Sequence, residues 1–340
     1  MAAKRKRGFV TAGTWCLDRN RIIDAWPRED SVAITWGLEE RGGGSACNLG
    51  IDMRRLDPDV PVETIGLVGE DSAGERMIAE AKAAGIDTRQ MRIVPGATSN
   101  ITEAFISKAS GLRTHISELG VGALLAPEHF DFSETSGRFL HLGIPGVHRT
   151  MDGPQDGDAN GWVTVLKAAR AAGLETNLEL CTLPPERLRA VIHPCLPHLD
   201  TLIVNDSEIG ALAEIETVKG GRTDLDAVRQ AAREVLLRGA MRLVTVHFPS
   251  GAVTVTRDGQ VAFVPSVAVP PEAVAGPNGA GDAFAAGFLY GLHESWALED
   301  AIWLGHAAAA CSLRTTGTTD GVEAWQTCLS IAERWGRRSA

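Results

Sequence analysis

Short apolar runs alternate with longer Ala-rich runs along most of the chain. The short runs have the length of buried strands. They predict strands at Gly8 to Ala12, Glu63 to Val68, Arg138 to Leu142, Glu175 to Leu178, Thr201 to Val204 and Leu243 to Val246. The Ala-rich runs predict helices at Gly74 to Ala84, Gly161 to Ala172, Leu225 to Leu237, Ala280 to Leu292 and Leu298 to Arg314. In the first of these, Met77, Ile78 and Ala81 fall at helix-face spacing. The small residues between Ala280 and Gly291 point to close packing on a sheet. Alternation of this kind is the pattern of an α/β layered fold. No internal repeat or low-complexity linker interrupts it.

Two segments break the alternation, at about residues 19–40 and 99–123. In the second, Asn100-Ile101-Thr102-Glu103-Ala104-Phe105-Ile106 is followed by Gly111 and then Thr114-His115-Ile116-Ser117. Two runs around a glycine turn read as an antiparallel hairpin. Both insertions together predict a small β sheet over the mouth of the main unit, where it would exclude water as a lid.

Composition bounds this picture. A chain of 340 residues with 44% hydrophobic content buries a full core without disulfides or metals. The net charge of -10 argues against broad nucleic-acid or anionic-membrane partners. It leaves room for an anionic ligand, because backbone amides at a helix start bind phosphate on an acidic protein. The six cysteines are scattered without C-x-x-C spacing, which reads as free thiols in a reducing cytoplasm rather than a zinc or redox site. Met1-Ala2-Ala3-Lys4-Arg5-Lys6-Arg7 is basic, but the apolar run after it is too short for a signal-peptide core, so it reads as a solvated leader. Ala301 to Leu313 is too short to span a bilayer.

The strongest candidate for chemistry is Gly276-Pro277-Asn278-Gly279-Ala280-Gly281-Asp282-Ala283-Phe284-Ala285-Ala286-Gly287. Pro277 stops a preceding helix. The glycines let the backbone turn close to a ligand, and the helix that follows offers free N–H groups and a favourable dipole to an anion. From spacing alone, two roles stand for Asp282. It could cap the helix, or it could take a proton from a substrate hydroxyl beside a transferable phosphoryl group. The loop is not a Walker A motif, because Gly-Lys-Ser/Thr is missing.

Four segments in register carry a resemblance. Gly279 to Phe284 reads Gly-Ala-Gly-Asp-Ala-Phe, and Gly43-Gly44-Ser45-Ala46-Cys47-Asn48 gives Gly-Gly, three residues, then Asn. Between them lie Gly66-Leu67-Val68-Gly69-Glu70-Asp71-Ser72-Ala73-Gly74 and Asn205-Asp206-Ser207-Glu208. In order and spacing, from about Gly8 to Gly321, the chain resembles the ribokinase-like, or PfkB-type, carbohydrate kinases. The resemblance implies one three-layer α/β/α unit over residues 1–340, with a central mostly parallel sheet and a small β lid.

The resemblance also implies site roles. Asp282 would be the general base, and the N–H groups of Gly279, Ala280 and Gly281 an anion hole for the moving phosphoryl group. Asn205 and Glu208 would organise the waters of a Mg²⁺ ion on ATP, though a strand-end turn with a helix-start carboxylate would look the same. Asp18, Gly43, Gly44 and Asn48 would form the wall that holds a sugar. Thr245, His247, Gly251, Asn278 and His306 would lie about ATP, with His247 standing where the family usually has Gly. A core or surface position serves His306 equally well.

Departures limit what the resemblance carries over. The family commonly has Asp-Thr-Thr before Gly-Ala-Gly-Asp, whereas Gly276-Pro277-Asn278 stands here. A monovalent cation beside that loop would therefore rest on backbone carbonyls. Leu178-Glu179-Leu180 lacks the arginine that some acid-sugar kinases carry after the residue matching Asn177. The expected activity is ATP-dependent phosphorylation of a sugar or sugar-like hydroxyl. The alternatives are a nucleoside kinase and a catalytically silent sugar-binding relative. A nicotinamide dehydrogenase is disfavoured, because no G-x-G-x-x-G follows the first strand. Lid sheets of such kinases often pair between subunits, so Phe105, Ile106 and Ile116 are candidate contacts of a homodimer, and packing on the unit beneath would suit them equally.

Overall fold

The computed structural model describes residues 6–339, apart from Leu112, Asp156 and Pro277. The leader up to Arg5 and the helix stop at Pro277 lie outside the described residues. In chain order the first elements are β1 (Phe9–Gly13), β2 (Cys16–Ile23), β3 (Thr35–Gly43), α1 (Ser45–Leu56), β4 (Val62–Gly69), α2 (Ser72–Ala83), β5 (Asp87–Val94), β6 (Ile101–Ser107) and β7 (Arg113–Glu118). Next come β8 (Phe139–Gly143), α3 (Gly161–Ala171), β9 (Glu175–Leu178), α4 (Pro185–Ile192), β10 (Thr201–Asn205), α5 (Asp206–Ala213) and the short pair β11 (Val218–Lys219) and β12 (Arg222–Thr223). The remainder is α6 (Leu225–Arg238), β13 (Leu243–Phe248), β14 (Gly251–Thr256), β15 (Val261–Pro265), α7 (Ala280–His293), α8 (Leu298–Ser312) and α9 (Trp325–Trp335).

The large sheet runs β15-β14-β13-β10-β9-β8-β1-β4-β5. Pairing is parallel from β13 to β5 and antiparallel only at β14 and β15. Every residue of β1, β4 and β8 is buried, as expected of central parallel strands covered on both faces. One face carries α3 to α6, whose Trp162, Leu166, Leu188 and Val235 join the first core. The other carries α1, α2 and α7 to α9, with Leu49, Met77, Phe284, Phe288 and Leu304 in the second. The fold is thus a three-layer α/β/α arrangement.

The small residues of α7 pack chiefly on a helix rather than the sheet. A side chain at Gly287 would come within 2.6 Å of the Leu304 carbonyl, and one at Gly291 would collide with Ala301. A tight α7–α8 contact of this kind fixes the axis of α7, and so the position of its first turn.

A second sheet, β3-β2-β6-β7, branches from the carboxyl end of β1. Its strands fall within and just outside the two segments that break the sequence alternation. β6 and β7 are antiparallel, with Ile101 opposite Glu118 and Ile106 opposite Arg113. Asn100 ties this sheet to the main unit. Its Nδ2 donates to the Trp15 carbonyl at 2.8 Å, and its Oδ1 accepts from the Gly122 N–H at 2.6 Å.

Parallel α/β sheets bind ligands beyond the carboxyl ends of their strands, where the strand order reverses. Here that place lies between β1 and β8, at Thr14 and Ile144.

Candidate active site

The first turn of α7 stands at the centre of the site. Its N-cap is Gly279, with φ 68°, and no side chain caps the helix. A Cβ at Gly279 would lie 1.9 Å from the Thr318 carbonyl oxygen, so only glycine fits this turn. Asp282, in the same turn, does not act as the cap. Its Oδ2 accepts a hydrogen bond from Asn48 Nδ2 at 2.8 Å, across from the first turn of α1. The uncapped N–H end of α7 is left to an anion.

On one side of this turn lies a cavity of about 630 Å³. Asp18, Gly44, Asn48, Asn278, Gly279 and Asp282 all line it. Gly43 does not, but it makes room for Asp18, because a Cβ there would lie 2.3 Å from Asp18 Oδ2. Gly44, with φ 88°, is the N-cap of α1 and aims Asn48 inward. Asn278 is turned to this side, and its Nδ2 donates to the Thr316 carbonyl at 2.9 Å.

On the other side lies a groove of about 410 Å³, lined by Asn205, His247, Ala280, Gly281, Phe284 and His306 among others. His306 is held by a 3.0 Å contact from its Nε2 to the Val264 carbonyl and meets the Phe284 ring edge-on. Burial lowers both imidazoles, His247 to about 4 and His306 to about 3, so both are neutral at pH 7. Thr245 lies buried in β13, bonded to the Thr254 hydroxyl at 2.8 Å, and Gly251 begins β14. Neither lines the groove.

A smaller cavity of about 180 Å³ joins the two spaces, with Glu179, Asn205, Glu208, His247, Gly281 and Asp282 on its walls. Asn205 and Glu208 form a capping box at the start of α5. The Glu208 N–H donates to Asn205 Oδ1 at 2.8 Å, and the Asn205 N–H donates to Glu208 Oε2 at 3.1 Å. The local turn foreseen as an alternative for these residues therefore exists, and it presents both side chains to the junction. Burial raises Glu208 to about 7.

Carboxyl groups crowd this centre. Burial raises Asp282 well above the usual range, and neighbouring Glu179 raises it further. Glu179 itself is raised to about 8 by burial. Its Oε2 lies 2.5 Å from His141 Nε2, and His141 Nδ1 accepts from Asn177 Nδ2 at 3.0 Å. Burial lowers His141 to about 4, so His141 and Glu179 meet as neutral partners, with the imidazole N–H on Nε2. Asp52, one helical turn beyond Asn48, is fully buried with no partner for either oxygen, and burial together with the Asp282 charge raises it.

The profile described as pfkB family carbohydrate kinase matches residues 16–325. This chain belongs to that family. It is 24% identical over 287 residues to an adenosine kinase of Schizosaccharomyces pombe, covering 82% of this chain and 81% of the relative. It is 26% identical over 327 residues to an ATP-dependent ribose-1-phosphate kinase of Halopiger xanaduensis, covering 96% of this chain and 98% of the relative. The ribokinase of Giardia lamblia shares the fold at TM-score 0.80 and 17% identity, over 96% of this chain and 99% of that one.

Within this pfkB-family site, sequence reasoning passed over four side chains. His141, Asp52 and Arg113 carried no local motif, and Glu179 was noticed only as a missing arginine. Arg113, His115 and Ser117 alternate along β7 and all line the larger cavity. That two-residue period was the available signal for them.

Proposed function

We propose that the chain transfers the γ-phosphoryl group of ATP to a hydroxyl of a sugar or sugar-like acceptor, with Asp282 as general base. The observation that carries this reading is the position of Asp282. It lies on the wall shared by the larger cavity and the junction, at a helix start that no side chain caps. The acceptor occupies the cavity of Asp18, Gly44 and Asn48, and ATP occupies the groove of His247 and His306. The first-turn N–H groups at Gly279, Ala280 and Gly281 receive the charge that develops on the transferring oxygens. Asn48 orients the Asp282 carboxylate for the proton of the attacking hydroxyl.

Asn205 and Glu208 offer oxygen donors at the junction, the donor set that suits hydrated Mg²⁺. Bound there with ATP, Mg²⁺ would neutralise phosphate charge and help keep Asp282 and Glu208 ionised. A monovalent cation beside Gly279 would depend on backbone carbonyls, since Gly276 has no carboxylate.

The small sheet serves as the lid of a single kinase unit over residues 1–340. Trp26, Ile34, Trp36 and Leu38 of its β2–β3 arm are each about half exposed or more, which fits a homodimer contact. Ile116 is 55% exposed and belongs to the same set, whereas Phe105 and Ile106 are only partly exposed. All six cysteines are free, which fits a reducing cytoplasm. No helix among the described residues is long and apolar enough to cross a membrane.

The test is ADP release from MgATP across sugars, polyols and nucleosides. Acceptor-dependent ADP release is expected. Binding of ATP and of an acceptor with no release across the panel would favour a silent sugar-binding relative. The adenosine kinase likeness supports a nucleoside as the second reading, and the same panel separates the two.

A further inference from the structure

The small sheet brings one cation over the acceptor cavity. Arg113 opens β7 on the face that also carries Thr102, His115 and Ser117, and that face is turned toward Asp18. Its Nη2 lies 3.9 Å from Asp18 Oδ2, with side-chain exposures of only 13% and 9%. That separation is beyond a hydrogen bond, and Arg113 Nε has no hydrogen-bond partner. A buried guanidinium and carboxylate held apart in this way do not satisfy one another, and among the described residues Asp18 Oδ1 accepts only from the Cys16 thiol, at 3.4 Å. The gap suits hydroxyl groups, which donate to a carboxylate while accepting from a guanidinium.

The rest of the cavity is acidic. Glu118, Glu179 and Asp282 line it together with Asp18. The other basic side chains do not offset them. Burial, and after it the Arg113 charge, lowers His115 to about 4. His148 is occupied on both ring nitrogens, by the Thr14 hydroxyl at 2.6 Å and the Gly122 carbonyl at 2.7 Å. A phosphate or carboxylate placed on Arg113 would therefore stand beside Asp18 and share the cavity with Glu118, while Glu179 and Asp282, both raised by burial, offer it no positive partner.

We infer that Arg113 and Asp18 together grip adjacent hydroxyls of the acceptor, and that the cavity selects an uncharged polyhydroxyl acceptor over a phosphorylated or carboxylated one. This rests on the phosphoryl-transfer reading. Arg113 is then a specificity residue that touches substrate. It lies on the lid, so it takes its place over the acceptor when the lid is closed.

The test compares kcat/KM of the full chain for D-ribose, D-fructose and adenosine with that for D-ribose 5-phosphate, D-gluconate and AMP. The best neutral acceptor should exceed the best anionic one by about a hundredfold or more. Arg113→Gln should raise KM for that acceptor by about tenfold, more than it lowers kcat, and Arg113→Lys should recover part of the loss. An unchanged KM for ATP in both variants would show that the site stays folded. An anionic acceptor ranking first, or an acceptor KM unmoved by Arg113→Gln, would overturn the inference. Calorimetric titration of the same compounds reads the preference without turnover. Tighter neutral binding with no turnover would sink the kinase reading and support the Arg113 assignment. Tighter anionic binding, or none at all, would overturn the assignment itself.

Discussion

The two spaces that meet at Gly279 to Asp282 are built from opposite chemistry. The larger cavity, proposed above for the acceptor, is walled by Asp18, Arg113, Glu118, Glu179 and Asp282 among others. The groove on the far side has an apolar stretch of Val267, Val269, Phe284, Ala309 and Leu313 with two neutral imidazoles, and Asn205, Asp206, Ser266 and Arg338 also line it. A charged wall discriminates among polar acceptors through hydrogen bonds that an incorrect molecule leaves unmade. An apolar slot recognises a flat ring by shape and burial, and it tolerates changes that keep the volume. The asymmetry places the strongly shifted carboxyls of Asp282 and Glu179 on the acceptor side.

The comparison breaks most sharply at the turn the two spaces share. Gly279→Ala forces a side chain into the Thr318 carbonyl at a positive φ, so turnover should fall by more than about a hundredfold, with ATP and acceptor affinities both weakened. Steady-state kinetics with calorimetry would read this; a variant that weakens one ligand only would mean the turn does not join the two spaces.

A change confined to the groove should act on one side alone. Ala309→Trp fills the slot, so KM for ATP should rise by about tenfold or more while acceptor binding holds. Loss of acceptor binding in that variant would show that the spaces are not independent.

Acidity separates the sides more gently. Glu179 is raised to about 8 in the fold from a usual value of 4.5, so the folded chain holds a proton there that the unfolded chain releases. Its contribution to stability is full below about 4.5 and is lost as pH rises through about 8. His141 and His247 act in the opposite sense, losing their contribution as pH falls from 6.5 through about 4. The melting temperature of the ligand-free chain should therefore decline toward both alkaline and acid pH. Glu208, Asp282 and Asp52, also raised by burial, act in the same sense as Glu179, so Glu179→Gln should lessen the alkaline decline and leave the acid one; an unchanged alkaline limb would remove Glu179 as a contributor.

The smallest expected effect on chemistry lies at the lid's outer surface. Trp36→Glu should shift the chain toward monomer in light scattering while kcat changes by less than about threefold. A mass unchanged from that of a wild-type dimer would place the contact elsewhere.

Much of this architecture was legible from sequence because burial imposes a pattern. The six strands expected from apolar runs all lie within two residues of the bounds of β1, β4, β8, β9, β10 and β13. The strands β5, β14 and β15 at the two ends of the large sheet and the helices α1, α4, α5 and α9 were not among the expected elements. α1 follows three glycines and carries a buried Asp52, which blurs its helical stripe. The loop at Gly279 to Asp282 was legible because backbone geometry demands glycine there. The site's polar groups were not, since Arg113, His141 and Glu179 stand in β7, in β8 and just after β9 and come together only through the fold. Their signal is pairwise and spatial, and one sequence holds no record of it.

The central claim is that Asp282 accepts the proton of the attacking hydroxyl. Asp282→Asn keeps the shape of the side chain and removes its basicity. The account predicts that kcat falls by about a hundredfold to ten-thousandfold, while affinity for a nonhydrolysable ATP analogue stays within about threefold. Near-wild-type turnover in that variant would contradict it.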